Sequence, residues 1–427
     1  MASPGDRIRV KTLTDEIEGI LMPSYDQKSI LIKLPNGYNV GYEEKEVLSV
    51  TLLEPKKTAA EKPLREITFR PGLKTIVILH TGGTIASKVD YKSGAVTAKF
   101  TAEDLLGMFP ELGEIANIET ELVSNMMSED MLFSNYQNIA ESIVHHAKKD
   151  IAGIIIGHGT DTLGFTAAAL AFIFEKINIP ILLVGSQRSS DRGSTDAAMN
   201  LICAAEFITK TDFAGVAVCM HHSASDDICA ILPATKTRKM HTSRRDAFKA
   251  INTEPIAVVD YEKRKINFIS KDYSRRGEDK VIISKDKFSE KVGLLKVHPN
   301  QDPKLFRFFA DNYDAFVLEA TGLGHAPTNL GKNLENYETI REFVKKGGIV
   351  AITSQCLYGA VHPSVYTNLR RLSEIGCIFC EDMLPETAFI KLAWLLGNYP
   401  KEKVEKLMAA NLRGEIGERR ELNKFCE

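Results

Sequence analysis

Short apolar runs alternate with stretches of helical periodicity along most of this chain, and no other pattern in it limits the possible folds as strongly. Runs of about five apolar residues, rich in β-branched side chains, recur between residues 74 and 352. Such alternation favours parallel sheets covered by helices on both faces. The predicted strands are KTIVIL (74–79), IAGIII (151–156), PILLV (180–184), AGVAVC (214–219), DAFVLE (314–319) and GGIVAI (347–352), and the predicted helices lie near 131–148, 163–176, 195–209, 302–312, 334–346 and 385–396.

The first 53 residues follow a different pattern. Short apolar runs alternate with turns there, and Pro35-Asn36-Gly37 is typical of a hairpin turn. This pattern predicts a small all-β, barrel-like module. The boundaries we expect are 1–53 for the module, 54–72 for a linker, 73–290 for an α/β domain and 291–427 for a second α/β domain.

Composition excludes several classes of protein. The 427 residues carry a net charge of -2, so no large positive field favours general binding to nucleic acid or anionic membrane. Seven scattered cysteines do not form a disulfide framework, and Cys377-x-x-Cys380 fits strand packing better than a metal or redox site. We find no run of about 18 apolar residues and no apolar stretch at the N-terminus. We therefore expect a cytoplasmic protein.

Polar segments follow three of the predicted strands, where a parallel sheet binds its ligands. The first is Thr81-Gly82-Gly83-Thr84, whose glycines let the backbone approach a ligand closely and direct N–H groups at an oxyanion. Neither the dinucleotide spacing nor the P-loop spacing is present. A tight turn with a satisfied hydroxyl is the alternative interpretation.

The second segment is Gly159-Thr160-Asp161, and the third is Gly185-Ser186-Gln187-Arg188. Asp161 could hold a ligand ammonium group, or it could cap the helix that begins near residue 163. A threonine hydroxyl needs a base to become a nucleophile. Lys236, in the segment PATKTRKMH, is the candidate base, and a surface lysine is the alternative.

Taken together, TGGTIA (81–86) and GHGTDTL (157–163) resemble the two signatures of the bacterial-type L-asparaginase/glutaminase family. The resemblance runs from about residue 74 to about residue 400. It implies an asparaginase-like, two-domain, parallel-sheet (Rossmann-like) α/β fold after the all-β module. It also implies amide hydrolysis through an acyl-enzyme, with glutamine or asparagine as substrate.

The family's roles transfer onto matching residues. Thr84 resembles the primary nucleophile, and Thr160, Asp161 and Lys236 resemble the second catalytic cluster, in which Asp161 would bind the substrate's α-ammonium group. Ser128 would hold the substrate's α-carboxylate. The remaining candidates for substrate binding are Gly83, Glu129, Gly159, Tyr91 and His325.

The sequence departs from the family in two places. Glu129 stands where glutamine is usual, which changes the charge at the α-amino end of the substrate. A tyrosine usually activates the nucleophile from the loop after TGGTIA. Tyr91 is present in that loop, but another alignment puts the tyrosine position on Ala95.

The extra N-terminal module resembles the layout of the glutaminase subunits of archaeal glutamyl-tRNA(Gln) amidotransferases. That resemblance implies no cofactor in this chain and a homodimer of it within a heterotetramer. The partner, the E-type amidotransferase subunit, would bind Glu-tRNA(Gln) and use ATP with Mg²⁺ to amidate it. A free-standing L-asparaginase with an accessory module, and a non-catalytic scaffold, are the alternatives.

Two further clusters have open interpretations. The basic run Lys236, Arg238, Lys239, Arg244 and Arg245 is either a tRNA or partner contact or a solvated loop. His221 and His222 with Asp226 and Asp227 could suggest a metal, although their spacing fits no familiar site and the family resemblance predicts none.

Overall fold

A computed structural model describes residues 2–22, 24, 28–34, 39–55, 69–83, 87–89, 96–98, 101–188, 195–279 and 281–418. The N-terminal module is a five-stranded antiparallel sheet in the order β4-β3-β2-β1-β5. Its own small core contains Ile8, Val10 and Ile32. The predicted turn at 35–37 lies outside the described residues. The strands are β1 (Arg7–Thr12), β2 (Glu16–Met22), β3 (Ser29–Lys33), β4 (Asn39–Glu43) and β5 (Val47–Glu54).

The second unit is built on an eight-stranded sheet in the order β18-β17-β14-β13-β12-β10-β6-β9. Its strands are β6 (Thr75–His80), β9 (Asn117–Leu122), β10 (Gly153–Gly157), β12 (Pro180–Val184), β13 (Gly215–His221), β14 (Ile228–Pro233), β17 (Ala257–Asp260) and β18 (Lys265–Phe268). Its helices are α1 (Ala102–Met108), α2 (Leu112–Ile115), α3 (Phe133–Ala147), α4 (Leu163–Ile173) and α5 (Ala197–Lys210). Short two-stranded pairs complete it: β7 (Ser87–Val89) with β8 (Val96–Ala98), β11 (Phe174–Lys176) with β19 (Ile283–Ser284), and β15 (Thr237–Lys239) with β16 (Phe248–Ala250).

The third unit is a four-stranded parallel sheet in the order β20-β21-β22-β23. Its strands are β20 (Val292–Lys296), β21 (Ala315–Ala320), β22 (Ile349–Ser354) and β23 (Ile378–Phe379). Its helices are α6 (Pro303–Asn312), α7 (Leu334–Lys345), α8 (Thr367–Glu374), α9 (Pro385–Asn398) and α10 (Lys401–Met408).

The large sheet is buried on both faces because its central strands are apolar at nearly every position. In β6, Val77 and Leu79 face one core, and Ile76 and Ile78 face the opposite core, as the two-residue period of a strand requires. The first of these cores continues into the third unit, because α4 packs on α9. The rings of Phe172 and Trp394 stack there at 5.6 Å.

The predicted α/β class and the all-β module are confirmed. The structure adds an antiparallel extension, β14, β17 and β18, that the sequence analysis did not predict. A short connection between β13 and β14 leaves no room for a crossover helix, so the chain reverses beside its own strand. Within the part of the chain that the structure describes, no helix is long and apolar enough to cross a membrane.

Candidate active site

The candidate site lies at the carboxyl ends of β6, β10 and β12, which run parallel and side by side. Thr81 follows β6, and its backbone N–H donates to the carbonyl of Gly157 at 3.0 Å. His158 follows β10, and its N–H donates to the carbonyl of Val184 at 2.9 Å. These bonds hold the first two polar segments and the end of β12 against one another, as expected for one edge of a parallel sheet.

Glycines allow the segments to pack backbone against backbone. A β-carbon at Gly83, where φ is +82°, would lie 2.7 Å from the α-carbon of Gly159. A β-carbon at Gly159 would lie 2.8 Å from Cβ of Ser128 and 2.9 Å from its Oγ. Separations below 3.0 Å are not tolerated, so only glycine fits at either place. Three of the predicted substrate-binding residues therefore meet at one point.

Ser128 is buried in a short 3₁₀ turn, and Glu129 beside it is exposed. The carbonyl of Ser128 accepts a hydrogen bond from the hydroxyl of Thr162 at 2.6 Å. This bond ties the Ser128 segment to the segment that carries Thr160 and Asp161. Thr162 is also the residue before α4, so the same turn starts that helix.

The lysine beside Thr160 is Lys239, not Lys236. Lys239 Nζ lies 2.9 Å from Thr160 Oγ1 and 2.8 Å from Asp161 Oδ1. The Lys239 side chain is largely buried, and the Asp161 carboxylate is exposed. One ammonium or amine group therefore bridges the hydroxyl and the carboxylate that the sequence analysis paired.

Lys236 is directed elsewhere. Its Nζ lies 2.6 Å from Asp382 Oδ2, which belongs to the third unit, and both side chains are buried. Burial lowers the pKa of Lys236, and the charge of Asp382 opposes that shift. The placement expected for Lys236 is thus corrected to Lys239: Lys236 ends the turn 234–236, which contacts the third unit, whereas Lys239 ends strand β15 beside Thr160.

Two of the predicted residues, Thr84 and Tyr91, lie outside the described residues. His325 lies in the turn after β21, where it forms an isolated bridge with Thr321. Its Nδ1 lies 2.7 Å from the amide nitrogen of Asn368, and its ring packs on Tyr366. Within the residues that the structure describes, none of the hydrogen bonds of His325 joins it to Thr160, Asp161 or Ser128.

The remaining candidates have structural partners. Each basic residue of the 236–245 run pairs with an acid: Lys236–Asp382, Arg238–Glu386, Lys239–Asp161, Arg244–Asp246 and Arg245–Asp226. This neutralisation does not favour the tRNA-contact interpretation.

Within the described residues, neither the cluster around His221 nor the pair Cys377 and Cys380 has the features of a metal or redox site. His221 contacts Asn200 and Asp226, and the described part of the chain contains no group of three metal-ligating side chains. Burial raises the pKa of Cys377 and of Cys380 to about 12, so both are protonated thiols rather than reactive thiolates.

Comparison with known proteins agrees with this fold. Family models match residues 75–273 (asparaginase, N-terminal), 291–408 (glutaminase/asparaginase C-terminal domain) and 2–53 (GatD N-terminal domain). A solved L-asparaginase from Thermococcus kodakarensis superimposes with a TM-score of 0.71 at 30% identity, covering 81% of this chain and 100% of that one. L-asparaginase I from Vibrio cholerae gives a TM-score of 0.70 at 28% identity, with 81% and 99% covered.

The fold and the site thus define an asparaginase-type protein with two α/β units and an additional N-terminal module. Curated relatives match nearly end to end. The D-type subunit of glutamyl-tRNA(Gln) amidotransferase from Thermococcus kodakarensis is 47% identical over 96% of this chain and 94% of its own length. The corresponding protein of Archaeoglobus fulgidus is 46% identical over 96% and 95%. The chain belongs to this family of D-type glutamyl-tRNA(Gln) amidotransferase subunits, the GatD family.

Proposed function

We propose that the protein hydrolyses the side-chain amide of glutamine and delivers the ammonia to its partner in a complex, which converts Glu-tRNA(Gln) to Gln-tRNA(Gln). The observation that supports this most directly is the single lysine nitrogen within 3 Å of both Thr160 Oγ1 and Asp161 Oδ1. The three-part match to GatD relatives, including the N-terminal module, supports the amidotransferase over a free-standing asparaginase.

In the proposed reaction, the hydroxyl of Thr84 attacks the amide carbon, its proton passes to the leaving nitrogen, and the C–N bond breaks, releasing ammonia and leaving an acyl ester. Water then cleaves the ester to give glutamate. Lys239 Nζ, which lies 2.9 Å from Thr160 Oγ1, relays a proton with Thr160 or with that water. Backbone N–H groups near Gly83 and Gly159 stabilise the oxyanion, and Asp161 and Ser128 hold the ammonium and carboxylate ends of the substrate.

We further propose that this chain carries no cofactor and that ATP and Mg²⁺ serve the partner, the E-type amidotransferase subunit, which also holds most of the tRNA. Two copies of this chain would form a homodimer within a heterotetramer. A cytoplasmic location is supported by the likeness to a structure described as a probable cytoplasmic L-asparaginase from Campylobacter jejuni, with a TM-score of 0.65 at 25% identity.

The test compares two ammonia sources in the assembled complex. Thr84→Ala and Lys239→Met should each lower glutamine-dependent formation of Gln-tRNA(Gln) by roughly 100-fold or more, since both remove groups that act on the amide. Added ammonium chloride should restore the product, because the partner's chemistry is untouched. Lys263→Met, which removes an exposed lysine paired with Asp260, serves as the control.

Loss of both activities in Thr84→Ala, with the complex still assembled, would contradict the proposed division of labour. Ammonia release by the isolated chain discriminates the alternative. Asparagine turnover well above glutamine turnover would favour the free-standing asparaginase.

A further inference from the structure

A buried ion pair joins the segment that carries Lys239 to the third unit. Lys236 is 2% exposed and Asp382 is 8% exposed, and their charged atoms are 2.6 Å apart. Lys236 Nζ also donates to the backbone carbonyl of Asp382 at 3.2 Å. The second carboxylate oxygen of Asp382 accepts from the N–H of Gly417 at 2.9 Å, so both oxygens are used.

Such a pair is a costly way to gain stability. Taking both charges out of water offsets most of their attraction, and apolar side chains of similar volume often stabilise a fold as well. The backbone at Glu381, the residue before Asp382, is also left-handed with φ of +54°, which is uncommon for a side chain other than glycine. Both features indicate that the fold holds Lys236 and Asp382 in fixed positions even though doing so costs stability.

The segment before Lys239 is held by the third unit at three successive places. The carbonyl of Thr235 accepts from Thr387 Oγ1 at 2.9 Å, Lys236 pairs with Asp382, and Arg238 pairs with Glu386 at 3.0 Å. Burial raises the pKa of Glu386, while the charge of Arg238 lowers it. Lys239 alone extends the other way.

The geometry points to Lys236 and Asp382 as a positioning pair that sets Lys239 Nζ against Thr160. This inference rests on the proposed function. Asp382 follows β23, at the carboxyl end of the third unit's parallel sheet, so two sheets meet at one short hairpin, β15–β16. Neither member of the pair touches Thr160; they act through the backbone that leads to Lys239.

We expect a large effect on kcat from changes at Lys236 and Asp382, although neither residue contacts the reacting groups. A general base must be within hydrogen-bond reach of the proton that it takes. A displacement of 1 Å from a change remote from the chemistry can reduce a rate by about 100-fold. We therefore expect Lys236→Met and Asp382→Asn to lower kcat for glutamine hydrolysis by about 10- to 100-fold, with KM changed by less than about threefold.

The measurement uses the full chain in complex with its partner and follows ammonia release from glutamine. Lys236→Arg, which keeps a charge facing Asp382, should recover most of the lost kcat. Lys391→Met is the matched control, because Lys391 and Glu415 form another fully buried pair. The other contacts of Lys391 are the carbonyls of Met408 and Ala410, those of Glu415 are the N–H groups of Leu412 and Arg413, and none of these residues belongs to the hairpin. Lys391→Met should lower the thermal unfolding midpoint about as much as Lys236→Met does, and it should leave kcat within about threefold of the parent.

A double variant separates positioning from general destabilisation. If Lys236 acts through Lys239, adding Lys236→Met to Lys239→Met lowers the residual kcat by less than about twofold. Effects that multiply would overturn the inference, as would a normal kcat in both Lys236→Met and Asp382→Asn. Should Lys236→Met fail to fold, Asp382→Asn, which keeps the side-chain shape, carries the same comparison.

Failure of the proposed function gives a different pattern. If the parent complex releases no ammonia from glutamine, or if Lys239→Met keeps its activity, the assignment of the catalytic cluster is wrong. If Lys239→Met is inactive and the Lys236 and Asp382 variants are normal, only the positioning inference falls.

Discussion

His158 is buried directly before Gly159 and Thr160, and its two hydrogen bonds select one tautomer. Its Nδ1 lies 2.7 Å from the carbonyl of Gly159, which can only accept, so Nδ1 carries the proton. Its Nε2 lies 2.8 Å from Thr166 Oγ1 and accepts from that hydroxyl. Burial lowers the pKa of His158 to about 4, so the ring is neutral at physiological pH.

This histidine predicts a pH dependence of stability. As pH falls below 6.5, the unfolded chain binds a proton that folded His158 rejects until about pH 4, so the free energy of unfolding falls across that window. The loss attributable to His158 is about 3 kcal/mol. Between pH 7 and pH 4.5, the free energy of unfolding measured with urea should fall less steeply with pH in His158→Gln than in the parent.

The exposed His298 provides the control for that measurement, since His298→Gln replaces an imidazole ring outside the core. The free energy of unfolding of His298→Gln should change with pH as it does in the parent. His80, whose pKa burial lowers to about 3, keeps part of the pH dependence in every variant. An identical slope in His158→Gln and the parent would show that His158 is not held neutral by the fold.

Among the structural elements, the site depends on turns packed against each other without side chains between them. The 3₁₀ turn at Ser128 meets the turn after β10 at Gly159, and Gly83 meets Gly159 from the β6 side. Each turn directly follows or contacts a strand end. The spacing of the candidate substrate-binding groups is therefore set by close contacts at the two glycines.

Gly159→Ala tests this packing. Its new β-carbon would require Ser128 to move, so we expect KM for glutamine to rise by about tenfold or more, and kcat to fall as Thr160 shifts with it. The control is Gly107→Ala in α1, where a β-carbon meets nothing within 4 Å and should raise helix stability by about 0.5–1 kcal/mol. Steady-state glutamine hydrolysis and thermal unfolding decide the result. Unchanged KM in Gly159→Ala would mean that Ser128 does not bind substrate.

Across the molecule as a whole, the N-terminal module has a core separate from the cores of the α/β units. Its buried cluster of Ile8, Val10 and Ile32 is packed by neighbours from within the first 47 residues. The second and third units, by contrast, share one continuous core through α4 and α9. The module thus has its own core, whereas the two α/β units share theirs.

Deletion of residues 1–62 should therefore leave the α/β units folded, with a circular dichroism spectrum and an unfolding midpoint close to those of the parent. Deletion of residues 291–427 should instead give an unfolded or aggregated product, because it exposes the apolar faces of α4. Collapse of the first deletion product would show that the boundary at the linker is misplaced. A stable second product would show that the shared core is dispensable.

The amino-acid sequence alone was sufficient to locate the central parallel strands, the longer helices and the residues that follow those strands, although it missed β9, β20 and β23. Local periodicity is enough for this, because a run such as residues 151–156 is buried whichever strand pairs with it. Polar residues after such runs must gather at one sheet edge. Thr160 and Asp161 were accordingly identified before any contact was known, whereas Ser128 was identified through the family resemblance.

Only the complete fold shows that Lys239 reaches Thr160 and that Lys236 pairs with Asp382. Lys236 and Lys239 share one short segment and the same chemistry, and their difference depends on contacts 146 and 79 residues away along the chain. The antiparallel extension of the large sheet and the burial of Asp382 against Lys236 likewise depend on contacts between residues far apart in the sequence. Long-range pairings are selected by the packing of all the elements together, so no local pattern records them.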